Sequence, residues 1–256
     1  MDVTQYLFSP TGGTARAAGF LAAALAGPDG RVETVDLCDA ACDFSQVKQK
    51  AGALAVIAAP AYGGRAPALA VQRLAMVRGG GAPAVVLAAY GGRAFEDTLA
   101  ELADAAGAAG FCVKAGVAAL AEHSIAREIA AGRPDAQDKA QLEEFARRIR
   151  AKLDDGGAQA PAIPGGRPYK TRMVRGMVPA PGAACVRCGV CAARCPAGAI
   201  DRADPARVDA AACISCMRCI AVCPHGAREG DAESLAAITA MLRRAYTFRK
   251  ENELFL

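Results

Sequence analysis

Tryptophan is absent from this chain of 256 residues, and histidine occurs only as His123 and His225. Two histidines leave little room for a Ser/His/Asp or Cys/His nucleophilic arrangement, and none is evident. Long apolar runs are also missing. Hydrophobic residues make up 53% of the sequence, but much of that is alanine. No stretch both reaches about 18 residues and is free of Gly, Pro or charge, so a membrane span is not expected. The opening Met1-Asp2-Val3-Thr4-Gln5 has no basic segment before an apolar run and no small-residue cleavage site, so the protein is expected to stay in the cytoplasm.

Acidic residues are missing from Gly156 to Ile200, a stretch that holds Arg167, Lys170, Arg172, Arg175, Arg187 and Arg194. Residues 1 to 150 carry 15 basic and 16 acidic side chains and residues 151 to 256 carry 15 and 10, so the net charge of +4 sits in the second half. Taken alone, such a basic stretch points to nucleic acid. The cysteines change that reading. Three of the eleven (Cys38, Cys42, Cys112) are scattered through the first 150 residues, whereas eight fall between Cys185 and Cys223. In a reducing compartment that concentration indicates metal, not disulfides.

The eight form Cys185-x-x-Cys188-x-x-Cys191-x-x-x-Cys195-Pro196 and, 28 residues on, Cys213-x-x-Cys216-x-x-Cys219-x-x-x-Cys223-Pro224. Both runs have the bacterial ferredoxin spacing, in which the fourth cysteine ligates the other cluster. One 4Fe-4S cluster is thus assigned to Cys185, Cys188, Cys191 and Cys223, and a second to Cys213, Cys216, Cys219 and Cys195. Paired zinc sites are the alternative, but zinc ribbons use two Cys-x-x-Cys pairs and have no need of a third even spacing before Cys-Pro, twice over. An oxidised four-thiolate cluster carries roughly two negative charges. Two of them offset the basic excess, and no nucleic-acid partner is expected.

The first 153 residues alternate between strand-like and helix-like runs. DVTQYLF (2 to 8) precedes the polar turn SPTGGT (9 to 14) and an alanine-rich helix; RVETVDL (31 to 37), ALAVIAA (53 to 59), APAVVLAAY (82 to 90) and GFCVKAGVAAL (110 to 120) follow, separated by helical segments. Such alternation predicts a doubly wound α/β fold with a parallel sheet covered on both faces. A helix is predicted from about Pro134 to Leu153, with Leu142, Phe145, Ile149 and Leu153 on its apolar stripe. Residues 154 to 182 are rich in Gly, Pro and basic residues and read as a flexible linker. A last helix is expected from about Asp231 to Lys250.

Three loops converge at one edge of such a sheet. In SPTGGT, backbone N–H groups at a helix start, with the hydroxyls of Ser9, Thr11 and Thr14 beside Gly12 and Gly13, suit an anion; with no lysine present, an NTPase loop is disfavoured. The other two are Pro60-Ala61-Tyr62-Gly63-Gly64-Arg65 and Tyr90-Gly91-Gly92-Arg93. Tyr62 and Tyr90 are candidates to cover a planar ring. His123 is expected at a helix start or in a hydrogen-bonded structural role, His225 near a cluster without ligating it, and Cys38, Cys42 and Cys112 as ordinary, mostly buried thiols.

The loop SPTGGT resembles the flavodoxin phosphate loop, and residues 183 to 230 resemble the two-cluster ferredoxin domain. The other two loops and AEHSIAREIAAGRPDAQD (121 to 138) are similar to those of flavodoxin-like domains fused to ferredoxins. The resemblance implies a flavodoxin-like FMN-binding domain (1 to 153), a linker (154 to 182), a small α+β domain with two 4Fe-4S clusters (183 to 230) and a C-terminal helix (231 to 256). FMN is then expected on Ser9, Thr11, Gly12, Gly13, Thr14, Pro60, Ala61, Tyr62, Gly63, Gly64, Tyr90, Gly91 and Gly92. The function implied is electron transfer between FMN and the clusters, with redox proteins as partners. A flavin-dependent reductase of a small substrate, fed by its own clusters, is the alternative.

Overall fold

The computed structural model describes residues 1–156, 159–172 and 176–256. Five parallel strands form the main sheet: β1 (Val3–Leu7), β2 (Val32–Asp36), β3 (Leu54–Pro60), β4 (Pro83–Tyr90) and β5 (Cys112–Leu120), in the order β2-β1-β3-β4-β5. This is the flavodoxin-like doubly wound order, with the switch point between β1 and β3. The fully buried VTQYL of β1 and the near-continuous apolar runs of β3 and β4 fit strands covered on both faces. The helices α1 (Gly13–Ala26) and α4 (Ala136–Asp154) pack on one face through Leu21, Leu25, Leu142 and Ile149. On the other face lie α2 (Ala68–Leu74) and α3 (Thr98–Ala108), through Ala70, Leu74, Leu99 and Leu102. Helix α4 starts on a capping box in which Asp135 and Asp138 each accept from the other's backbone amide.

The C-terminal domain contains the two-residue strands β6 (Ala180–Pro181) and β7 (Arg228–Glu229), paired antiparallel, and two single-turn helices, α5 (Val190–Ala193) and α6 (Arg218–Ala221). The sequence duplication is repeated in the backbone. Arg187 and Ser215 both take φ 54°, and Gly189 and Met217 take φ 77° and 59°. Each pair is one repeat apart and flanks the second cysteine of its run, so the chain reverses around Cys188 and Cys216 in the same way.

Two expectations need correction. The last helix, α7 (Ala232–Ala245), ends five residues before Lys250, and Glu253–Phe255 form a further strand, β8, added antiparallel to β5. The strand is pinned by a long-range contact that no local pattern announces. Asn252, buried, accepts from the Leu120 amide at 2.8 Å and donates to Asp138 at 2.9 Å. The sheet is therefore mixed, with one antiparallel edge.

The second correction concerns residues 154 to 182. Five of them, 157–158 and 173–175, lie outside the described residues, but 161 to 172 are bound along the first domain. Gly166 and Lys170 donate their amides to the two carboxylate oxygens of Asp97, each at 2.7 Å. Arg167 pairs with Asp104 at 2.6 and 2.9 Å, Arg172 pairs with Glu101, and Ile163 packs into the core. The Gly and Pro content suits a backbone laid flat against its neighbour, and the basic side chains meet the acidic side of α3 in their own chain.

Candidate functional site

The two cysteine sets assigned from spacing are the two sets that the fold brings together. Cys185, Cys188, Cys191 and Cys223 line one cavity; Cys195, Cys213, Cys216 and Cys219 line another. The crossing of Cys195 and Cys223 follows from α5 and α6, each of which carries its fourth cysteine away from the loop holding the first three. Among the described residues no three Cys, His, Asp or Glu side chains converge closely enough to hold a single metal ion. Each cavity takes three cysteines from one run and the fourth from the other, the arrangement of crossed two-cluster ligation.

The second cavity is the more deeply buried. Burial pushes the Cys216 thiol up to about 12 and the Cys219 thiol to about 11. A thiolate there needs a countercharge, which ligated iron supplies. In the first set Cys188 is exposed, and Cys223 is lowered chiefly by the Ala227 amide, which donates to its sulfur at 3.2 Å. His225 lies exposed at the rim of that cavity.

At the C-terminal edge of the parallel strands, the three loops emerge side by side. Gly12 caps α1 in a left-handed conformation (φ 95°) with no side-chain cap. Among the described residues, the amides of Thr11, Gly12, Gly13 and Thr14 have no acceptor. They sit at a helix N-terminus, the arrangement that holds a phosphate. Ser9 is partly committed, since its hydroxyl oxygen accepts from the Ala15 amide at 2.9 Å, while its proton stays free to donate. Thr11 is exposed and Thr14 is buried.

Pro60 ends β3, and the Ala61 amide donates to Ala89 O at 2.8 Å, holding this loop against the end of β4. Tyr62 and Arg65 close a tight turn over Gly63 and Gly64, whose φ values are 60° and 82°. A Cβ at Gly64 would also strike the Glu96 carboxylate. The Tyr62 phenol is pushed well above its usual range by burial, with the Cys216 and Cys38 sulfurs nearby. The backbone at Gly91 and Gly92 is equally crowded: a Cβ would lie 2.5 Å from the His123 ring at the first and 2.4 Å from the Tyr246 ring at the second.

The two tyrosines expected to cover a ring therefore differ. Tyr62 is half-buried on its loop. Tyr90, the last residue of β4, turns into the core, 5% exposed and edge-on to Phe95 with centroids 5.4 Å apart. An aromatic that the sequence did not single out, Tyr246 at the end of α7, lies on the same loop instead. Nothing local marks it, because it arrives from the far end of the chain. No helix starts at His123; residues 124 to 132 form bends and turns, and its role is the hydrogen-bonded one, with Nδ1 accepting from the amides of Ile125 and Ala126 at 3.2 and 3.0 Å. Cys38 is buried, Cys42 is half-buried, and Cys112, at the start of β5, is exposed, contrary to expectation.

The C-terminal domain docks on this same edge. Arg73 of α2 donates to Pro196 O, Arg218 of α6 lies 3.8 Å from Asp36, and Ile214 packs into the first domain's core. All three contacts involve the Cys195/Cys213/Cys216/Cys219 side of the dicluster domain.

Residues 184–227 match the family described as the 4Fe-4S dicluster domain. Among solved structures, the chain is similar to a Streptococcus pneumoniae TIGR4 flavodoxin (19% identity, TM-score 0.42, 59% of this chain and 99% of that one). It is also similar to a flavodoxin from the domain Archaea (12%, 0.39, 60% and 98%) and to rubredoxin oxygen:oxidoreductase from Desulfovibrio gigas (17%, 0.41, 59% and 37%). No curated protein matches the sequence. No helix of the described residues is long and apolar enough to cross a membrane.

Proposed function

We propose that this chain, a flavodoxin-like domain carrying a 4Fe-4S dicluster domain, passes electrons between FMN on its first domain and two 4Fe-4S clusters on its second. The observation that carries the reading is the docking of the Cys195/Cys213/Cys216/Cys219 cavity against the loop edge of the parallel sheet, where Cys216 comes near Tyr62 of that edge. When bound, FMN exchanges electrons in pairs or singly while each cluster exchanges them singly, so such a chain converts one currency to the other.

The residues do the rest. The amides of Thr11 to Thr14 and the hydroxyls of Ser9, Thr11 and Thr14 hold the phosphate. Pro60, Ala61, Gly63, Gly64, Gly91 and Gly92 bring backbone close to the ring edge, with Tyr62 and Tyr246 as aromatic walls and Tyr90 contributing its backbone. Cys195, Cys213, Cys216 and Cys219 hold the inner cluster, next to Tyr62. Cys185, Cys188, Cys191 and Cys223 hold the outer one, whose exposed Cys188 and Val186 offer a surface to a redox protein partner.

The test is anaerobic purification followed by flavin, iron and sulfide analysis and photoreduction. FMN and two clusters per chain, with flavin and cluster signals that relax together at a rate independent of protein concentration, are expected. Bound clusters without any flavin after incubation with FMN would leave the first domain a scaffold and defeat the proposal.

A further inference from the structure

Arg228, on β7, is a buried cation that, among the described residues, forms no ion pair with a carboxylate. Its side chain is 3% exposed. Nη1 donates to Pro179 O at 3.1 Å, and Nη2 reaches Pro205 O and, at 3.5 Å, the sulfur of Cys191. Nε is buried and, among the described residues, has no partner. A guanidinium stays charged in any protein environment, and a buried charge without a countercharge is strongly unfavourable. Two carbonyl dipoles do not neutralise it. The sulfur that Nη2 meets, that of Cys191, is an anion when it ligates a cluster. Arg228 lines the cavity of Cys185, Cys188, Cys191 and Cys223. Pro179, to which Nη1 donates, lines the cavity of Cys195, Cys213, Cys216 and Cys219, so the same guanidinium lies beside the other set as well.

We propose that Arg228 is the shared countercharge of the two cluster sites and raises both reduction potentials, that of the Cys185/Cys188/Cys191/Cys223 cluster more. The inference rests on the cluster reading above. Reduction adds one electron to a cluster that is already an anion, with no bond made or broken and no proton required, so a nearby fixed cation stabilises the reduced form more than the oxidised one. The Nη2–Cys191 contact adds a hydrogen bond to a ligating sulfur, which acts in the same direction. Arg228 touches no substrate and is a positioning and tuning residue.

The experiment is an anaerobic potentiometric titration followed by electron paramagnetic resonance on the full chain, comparing wild type, R228Q and R228K, with iron and sulfide counted in each. In R228Q the reduced-to-oxidised ratio of the outer cluster at a fixed applied potential should fall about tenfold, about 59 mV for a one-electron couple, and that of the inner cluster by less. R228K keeps the charge and should recover most of the shift. Reduced-to-oxidised ratios in R228Q within about twofold of wild type at the same applied potential, with both clusters present, overturn the proposal. If R228Q assembles no clusters, R228K decides. Full iron content and near wild-type potentials support a countercharge; loss of iron in R228K as well means that Arg228 acts by packing alone, and the proposal fails. Wild type without clusters is a separate result, which defeats the cluster reading itself.

Discussion

Arg73 donates to the carbonyl oxygens of both Leu37 and Pro196, each at 2.7 Å, so one guanidinium joins the end of β2 to the residue that follows Cys195. The contact sets the inner cluster cavity against the first domain, and it predicts the kinetics. In the intact chain, transfer between flavin and clusters should be first-order and independent of concentration. Arg73→Ala should slow it without changing the cofactor content. The two domains prepared separately should react more slowly still, because the effective concentration supplied by the connection is lost. Flash photoreduction at several protein concentrations checks this; a rate that scales with concentration in the intact chain would mean that the halves serve different partners.

Anaerobic protein should contain about eight iron and eight sulfide per chain, from the two-cluster ligand count. Cys195→Ala should damage the cluster held by Cys213, Cys216 and Cys219 and spare the other, as seen by electron paramagnetic resonance. Selective loss of the Cys185/Cys188/Cys191 cluster would refute the crossed ligation.

Thr11→Asp places a negative charge among the free amides of the SPTGGT loop and should weaken FMN binding at least tenfold, on the order of 1.4 kcal/mol or more. A fluorescence titration of apoprotein with FMN measures it. Unchanged affinity would place the phosphate elsewhere.

The buried pair Arg133–Asp138 should dominate the stability of the C-terminal strap. Asp138, fully buried, accepts from Arg133, from the Asp135 amide at 2.8 Å and from Asn252, whose own carbonyl holds Leu120. Asp138→Ala strands the Arg133 charge and should cost about 3–5 kcal/mol. Urea unfolding should register this as a lowered midpoint, and protease should then cleave near β8.

His123 gives stability a dependence on pH. Burial holds its imidazole below the usual 6.5, and its Nδ1 is already an acceptor of two amides. The unfolded chain therefore binds that proton more readily than the folded one. The contribution of neutral His123 is fully present above pH 6.5 and is lost as the pH falls through the folded value. His123→Gln retains an acceptor and cannot titrate, so its unfolding midpoint should decline less than that of wild type on acidification from pH 7 to about 5. Equal declines would remove His123 as the cause.

The sequence alone determined the cluster chemistry and the sheet. Eight cysteines in a repeated spacing dictate which four sulfurs share a cavity, because a short loop and a single helical turn leave little choice. Alternating apolar strands and helices dictate a parallel sheet whose loops share one edge. Tertiary structure decided what lies between the pieces. Residues 161 to 172 have no period to read; Asp97 at the start of α3, Glu101 and Asp104 on it, and the core contact of Ile163 fix them in place. The direction of the Tyr90 ring depends on the pleat at the end of β4, which aims it at Phe95. Tyr246, Asn252 and Arg228 owe their positions to contacts spanning tens of residues or more, and no local pattern encodes a side chain whose partner lies at the other end of the chain.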